Sequence, residues 1–410
     1  MAVLSGLLII GASYAGVQAA ISARENGYQA AIRIVADEAD LPYQRPPLSK
    51  GFLAGTVAHS KLILRGADFF AAQRIDLQLG GRAVRIDREA RRVERQGGEQ
   101  LGYDTLLIAT GSRARKLAIP GCDREGISYL RTLDDAVDLK QRLEAAQSVV
   151  IVGGGFIGLE VAATAAKAGK TVTLVEAGSR LLERAVSPLI SGYLLDLHRG
   201  HGVDIRFNET VKRIDDGPGG AHGVVWADGT RVQCDLIVAG IGGIANDELA
   251  SAAGLRCSNG IDVDEFGRTD APGIFAAGDC SNHYNRIAGR RVRLESVQNA
   301  TDQGKAAGAA IGGKFEPYDS VPRFWSDQYD AKLQIVGLST PQDAAVIRGA
   351  LDQDRFSVFY YRDATLTAVD SVNRPGDQMI ARRLIAASIS PLPDQAADAS
   401  FDLKKLEAVG

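Results

Sequence analysis

Twice in this chain an apolar run ends on a glycine loop that leads straight into a helical stretch of small residues. Residues 3–10 run into Gly11-Ala12-Ser13-Tyr14-Ala15-Gly16; residues 16–26 then read as a helix and 31–35 as a second strand. Residues 148–152 run into Gly153-Gly154-Gly155-Phe156-Ile157-Gly158, followed by a helix over 159–168 and a strand over 171–175. Strand, glycine turn and helix make a βαβ unit, and its internal duplication predicts two parallel-sheet nucleotide domains. In such a loop the first glycine allows a tight turn and the last lets the helix approach the strand. The helix N-terminus then offers N–H groups and a positive dipole end to a pyrophosphate.

The two loops are unequal. The first is G-x-S-x-x-G, with Ser13 where a glycine would let the backbone approach a ligand most closely. Asp37 and Glu38 follow the second strand, where an acidic group meets ribose hydroxyls. The second loop is a full G-x-G-x-x-G, and Glu176 closes its next strand. A carboxylate there accepts hydrogen bonds from the adenosine ribose and repels the 2′-phosphate of NADPH. That repulsion is about 1–4 kcal/mol, roughly 10- to 1000-fold. Arg180 is the nearest arginine after it, so NADH is the expected dinucleotide. A chain that binds two dinucleotides keeps one as a resident electron carrier, and FAD with NADH is the natural pair. Gly278-Asp279 supports FAD, because an aspartate after a buried strand and a glycine can accept a ribityl hydroxyl. A helix beginning near 296–299 would point its positive end at the flavin.

Other strands over 105–109, 236–239 and 273–277 each stop at a glycine turn. From about Val321 the character changes. An aromatic segment is followed by a strand over 333–336, a hairpin of 356–361 and 366–370, a helix over 377–387 and a mostly polar tail over 394–410. The expected fold is α/β, with two Rossmann-like dinucleotide-binding domains and a C-terminal α+β cap. The FAD-binding domain spans 1–115 and 240–320, with the NADH-binding domain, 116–239, inserted in it; the cap spans 321–410.

Composition narrows the classes. A net charge of −3 over 410 residues gives no bulk attraction to nucleic acid or anionic membrane. No apolar run is long enough to span a bilayer. The cysteines Cys122, Cys234, Cys257 and Cys280 form no Cys-x-x-Cys pair, which argues against a disulfide framework, a zinc site and a dithiol redox centre. A reducing cytoplasm is the expected home. The histidines show no metal-ligand pattern, and His198 and His201 read as residues of a solvated helix end. No metal site is expected.

Several segments in order carry a resemblance. They are Pro42-Tyr43-Gln44-Arg45-Pro46-Pro47-Leu48-Ser49-Lys50, Ala109-Thr110-Gly111-Ser112, Arg131-Thr132-Leu133, residues 153–160, Gly278-Asp279-Cys280, Glu295-Ser296-Val297-Gln298-Asn299-Ala300 and Phe324-Trp325-Ser326-Asp327-Gln328. As a set the chain resembles the glutathione-reductase-like FAD-dependent ferredoxin reductases, with the putidaredoxin and palustrisredoxin reductases as nearest types. The resemblance implies FAD contacts at Ala15, Asp37, Lys50, Val84, Arg131, Asp279 and Val297, beside Gly11, Ser13, Gly16, Thr110 and Gly111 of the loops. It implies that Lys50 lies by the reactive edge of the flavin and pairs with Glu160. NADH would be held by Gly153, Gly155, Phe156, Ile157, Gly158, Glu176 and Gly242, with Glu295 near the nicotinamide. Trp325 would stand near the flavin where an iron–sulfur partner docks. Lys50 has its own physical rationale: an ammonium near the flavin favours negative charge on the ring, and a buried ammonium needs a carboxylate.

With no thiol relay, electrons must leave the flavin directly. The leading expectation is an NADH-dependent reductase of a [2Fe–2S] ferredoxin serving a cytochrome P450 or a ring-hydroxylating dioxygenase, acting as a monomer or weak dimer. Arg290-Arg291-Val292-Arg293 is a basic cluster suited to an acidic ferredoxin; a solvated loop is the plainer reading. A flavin and NADH redox sensor, or a rubredoxin or quinone reductase of the same fold, are the alternatives.

Overall fold

Each glycine loop ends the central strand of its own five-stranded parallel sheet. The computed structural model describes residues 6–124, 126–217 and 222–407, and these form two compact units. One unit is drawn from residues up to 44, 63–113 and 244–324; the other from 45–62, 114–243 and 325 onwards.

In the first unit the strand order is Ile274–Ala276, Thr105–Ile108, Gly6–Ile10, Ala31–Val35, Ile75–Gln78. The expected first strand starts at Gly6, and residues 3–5 lie outside the described residues. The alternation of a strand sends Leu7 and Ile9 to one face, where they pack with Ala19, Ala20 and Ala23 of the helix Tyr14–Glu25. Leu8 and Ile10 face the other way, onto Val93 and Leu101 of a small antiparallel sheet. Covering on both faces explains why these strands read as unbroken apolar runs.

The helix Tyr14–Glu25 packs along the helix Val297–Ile311 through glycines one turn apart. A Cβ on Gly304 would stand 2.4 Å from Ala15 O, and one on Gly308 would stand 2.3 Å from Ala19 O. The backbones therefore touch directly, and a methyl group at either glycine would overpack the pair at a cost of roughly 1–3 kcal/mol.

The second unit repeats the parallel plan in the order Asp204–Phe207, Thr171–Glu176, Ser148–Val152, Leu236–Ala239, Ile127–Ser128. A three-stranded antiparallel sheet, Val211–Asp216, His222–Trp226 and Arg231–Cys234, packs against it around the fully buried Trp226. The C-terminal region forms a five-stranded sheet, Arg323–Gln328, Ala331–Gly337, Thr365–Val372, Arg355–Arg362, Ala344–Ala350, with the helix Pro375–Ala386 on it. The expected hairpin is there, and its turn residues Asp363 and Ala364 both have positive φ, 47° and 64°. The polar tail is tied down by Arg348, whose guanidinium donates to the carbonyls of Asp398 and Phe401. Residues 408–410 of that tail lie outside the described residues.

Candidate active site

The first loop is shaped by backbone contact. Gly11 has φ +113°, and a Cβ on it would meet Ala109 O at 2.1 Å. A Cβ on Gly16 would meet Gly11 O at 1.9 Å. Ser13, by contrast, sits at φ −104° and ψ −163°, an extended conformation open to any residue. The replacement of glycine by serine there strains nothing. The Ser13 hydroxyl takes none of the helix N–H groups, so they stay available for another acceptor. Ile10 pairs with Val35, so Gly11 and the Ala36–Asp37 segment leave the sheet side by side, with Asp37 exposed.

Two further elements converge on this loop. Gly278 has φ +85°, and a Cβ there would lie 3.0 Å from Ala15 Cβ and 3.7 Å from Ala300 Cβ. The Gly278–Asp279 turn is thus wedged between the first turns of both long helices. Ser296 caps the second of them by accepting from Asn299 N, and Val297 is its first residue. Ser112 Oγ donates to Asp279 Oδ2 at 3.1 Å. Buried Gln303 accepts from Gly278 N (2.8 Å) and from Ser281 Oγ (2.8 Å). Thr110-Gly111 is latched by Asn246, which donates to Thr110 O at 2.8 Å and whose carbonyl accepts from Thr110 Oγ1 at 2.6 Å. Gln303 and Asn246 were not legible as site residues, because both act from more than twenty positions away. Two helix N-termini and a fixed aspartate suit a dinucleotide carrying a pyrophosphate and a polyol.

Val84 is half-exposed on the antiparallel strand Ala83–Asp87, beside Tyr103 and Leu249 along a groove. Glu295 pairs with Arg293. In the basic cluster Arg290 and Arg291 are exposed and Arg293 is not. Arg293 is largely buried and also donates to Asp279 O, and Arg291 donates to the carbonyls of Val263 and Asn282.

The second loop repeats the geometry of the first. Gly153 has φ +106°, and a Cβ would meet Gly240 O at 2.5 Å; a Cβ on Gly158 would meet Gly153 O at 2.1 Å. Gly155 differs. It is extended at the N-cap of the helix Phe156–Lys167, and a Cβ there would find nothing closer than 3.8 Å. The fold does not need glycine at 155, whereas a ligand lying on the loop does. Ile157, in the first turn, is exposed. Gly242 has φ +109° after the strand Leu236–Ala239. The Glu176 carboxylate is held by two backbone donors, Gly154 N and Gly178 N, each at 2.7 Å. The acidic group is therefore fixed over the loop before any ribose arrives. Arg180 is committed to the carbonyls of Val186 (2.7 Å) and Glu183 (2.6 Å).

In the same unit Lys50 and Glu160 meet at 2.6 Å, with Glu160 buried. Glu160 also accepts from Ser49 Oγ and Ser326 Oγ, so no carboxylate oxygen is left bare. Arg131 leads into the helix Leu133–Ala145, and its backbone is pinned on both sides: N–H to Asp135, carbonyl to Arg45. Trp325 is half-buried on the strand Arg323–Gln328. The reading of His198 as solvated is corrected. It is fully buried, bonded to Gln328 at 2.8 Å, because the helix Pro188–Gly200 turns its last face inward onto the C-terminal strand. Burial pushes its pKa down to about 4.

Thiol chemistry finds no support. All four cysteines are free; burial pushes Cys234 up to about 12 and Cys257 up to about 11, and raises Cys280 as well. Those three remain thiols at neutral pH. Among the described residues no cluster could hold a metal ion, and no helix is long and apolar enough to cross a membrane.

Residues 5–304 match the model of the pyridine nucleotide-disulphide oxidoreductases, and residues 323–407 match the reductase C-terminal model. The chain belongs to the pyridine nucleotide-disulphide oxidoreductase family. It is 45% identical to rhodocoxin reductase of Rhodococcus erythropolis over 97% of this chain and 93% of that one. The crystal structure of the ferredoxin reductase for the CYP199A2 system from Rhodopseudomonas palustris superposes with a TM-score of 0.94 at 44% identity, covering 98% of this chain and 99% of that one. The reductase in the covalent putidaredoxin reductase–putidaredoxin complex gives 0.94 at 40% identity, covering 99% and 98%. Membership makes this an FAD-containing oxidoreductase linked to NAD(P)H, and the two loops described above match that pair of cofactors.

Proposed function

We propose that this protein is an NADH-dependent ferredoxin reductase, passing electrons through FAD to a [2Fe–2S] ferredoxin that serves a cytochrome P450 or a ring-hydroxylating dioxygenase. The observation that carries the choice of NADH is the Glu176 carboxylate, fixed by two backbone donors with Arg180 tied elsewhere. The full-length likeness to reductases named for rhodocoxin and for the CYP199A2 system supports the ferredoxin. The separated cysteines support a cytoplasmic home.

FAD, when bound, accepts hydride from NADH and returns electrons one at a time. Gly11, Ser13, Ala15 and Gly16 would take its pyrophosphate, Asp37 a ribose, Asp279 the ribityl chain and Val297 the flavin end, with Val84, Thr110, Gly111 and Arg131 as further contacts. Gly153, Gly155, Phe156, Ile157, Gly158 and Gly242 would hold NADH, with Glu295 toward its nicotinamide. Lys50 would supply positive charge to the flavin, and it pairs with the buried carboxylate of Glu160. Trp325 serves the electron exit.

The test is coupled cytochrome c reduction by purified holoprotein with NADH. The reading requires a rate that depends on added [2Fe–2S] ferredoxin and saturates with it. A rate that is the same without ferredoxin, or one that only a rubredoxin or a quinone supports, would overturn it.

A further inference from the structure

The Lys50–Glu160 pair is the end of a buried hydrogen-bond chain that reaches the helix Pro188–Gly200. Ser326 Oγ donates to Glu160 Oε1 at 2.6 Å, and Gln328 Nε2 donates to Ser326 Oγ at 2.9 Å. Gln328 Oε1 lies 2.8 Å from His198 Nε2, and the Tyr329 hydroxyl lies 3.4 Å from His198 Nδ1. Ser49, Glu160, His198, Ser326 and Gln328 are all at most 3% exposed, so none of these groups can turn to bulk water instead.

The order of donors follows from the inventory of each group. The Ser326 hydroxyl has one hydrogen. It goes to Glu160 only if Gln328 presents its NH2 to Ser326. The Gln328 oxygen then faces His198, which must carry its hydrogen on Nε2. A buried imidazole that stays neutral has just one N–H, so Nδ1 is left as the acceptor facing Tyr329. Every hydrogen in the chain therefore points toward Glu160. Turning the Gln328 amide over would offer an oxygen to Ser326, draw its hydrogen away, and leave Glu160 Oε1 without a donor.

We propose that His198, Gln328 and Ser326 are positioning residues that hold Glu160 as the ionised partner of Lys50, so that the tautomer of His198 sets the charge presented to the flavin. This rests on the reading that Lys50 acts on FAD.

The experiment uses FAD-loaded protein and compares Ser326→Ala, Ser326→Thr and His198→Phe, each also in a Lys50→Met background. The flavin potential is measured anaerobically against a reference dye. Without the Ser326 donor, the Glu160 carboxylate loses its hydrogen bond at Oε1 and is held less firmly against Lys50, whose charge is then less compensated. The ratio of reduced to oxidised flavin at fixed potential should rise about tenfold in Ser326→Ala, which is about 30 mV for two electrons. His198→Phe should move it the same way by less, Ser326→Thr should restore it, and in Lys50→Met the alanine change should add nothing. Wild-type ratios in Ser326→Ala and His198→Phe, with only the melting temperature lowered, would overturn the proposal; so would an undiminished effect in Lys50→Met. A second arm needs no flavin: nitrogen NMR of the wild-type His198 ring should show the Nε2–H form. The Nδ1–H form would overturn this inference alone, whereas failure to bind FAD would count against the proposed function.

Discussion

Glu176→Ser should move the preference from NADH toward NADPH. In the native protein the carboxylate lies over the loop, held at 2.7 Å by Gly154 N and by Gly178 N. A 2′-phosphate brought to about 4 Å from it would meet about 1 kcal/mol of repulsion at the dielectric of water and about 4 kcal/mol at an effective value of 20. No nearby cation offsets this through Arg180, whose guanidinium is bonded to two carbonyls. Serine removes the repulsion and frees two N–H groups to meet a phosphate oxygen. The ratio of kcat/KM for NADPH to that for NADH should rise roughly 10- to 1000-fold, at about 1.4 kcal/mol for each factor of ten. Glu176→Arg should raise it further. Initial rates with ferricyanide as acceptor, at low and high salt, measure the ratio; the exposed share of the effect should shrink with salt. A wild type that already prefers NADPH, or a serine variant with an unchanged ratio, would show that the Glu176 carboxylate does not set the preference.

Gly155→Ala should leave the melting temperature within a few degrees while raising KM for NADH about tenfold or more, since the added methyl meets no protein atom within 3.8 Å but occupies the ligand's approach. Gly16→Ala should fail to give soluble, flavin-loaded protein, because its methyl would lie 1.9 Å from Gly11 O. Asp370 is buried on the strand Thr365–Val372 of the C-terminal sheet, and burial raises its pKa from 3.8 to about 7. The native form therefore keeps a proton that the unfolded chain releases, and stability falls as pH rises from about 4 to about 7, by up to about 4 kcal/mol. Urea unfolding at pH 5 and pH 8 should show this slope, and Asp370→Asn should flatten it; an equal slope in both proteins would exclude Asp370 as its source. Trp325→Ala should slow ferredoxin reduction more than ferricyanide reduction, and equal losses would remove Trp325 from the exit route.

The parts of the fold legible in the sequence are those where backbone geometry restricts residue type. Gly11, Gly153 and Gly278 have positive φ with a backbone atom or a packed side chain against the missing Cβ, so their spacing announces the turn. Ser13 reads as a defect only because the sequence does not show that its position is extended. The buried polar chain from Glu160 to His198 was not legible. Its members lie 166 and 130 positions apart along the bonded pairs, and a serine, a glutamine and a histidine in an amphipathic strand and helix look like solvated residues. The basic run at 290–293 is legible only in part: Arg290 and Arg291 are exposed, whereas Arg293 turns inward to Glu295 and to the carbonyl of Asp279.

Counting electrons tests the assignment as an NADH-dependent ferredoxin reductase. Holoprotein, limiting NADH and excess oxidised [2Fe–2S] ferredoxin are mixed without oxygen, and the ferredoxin is followed by its visible spectrum. That assignment requires two ferredoxins reduced for each NADH consumed, at an unchanged rate after thiol alkylation. NADH consumed while the ferredoxin stays oxidised, or transfer abolished by alkylation, would contradict it.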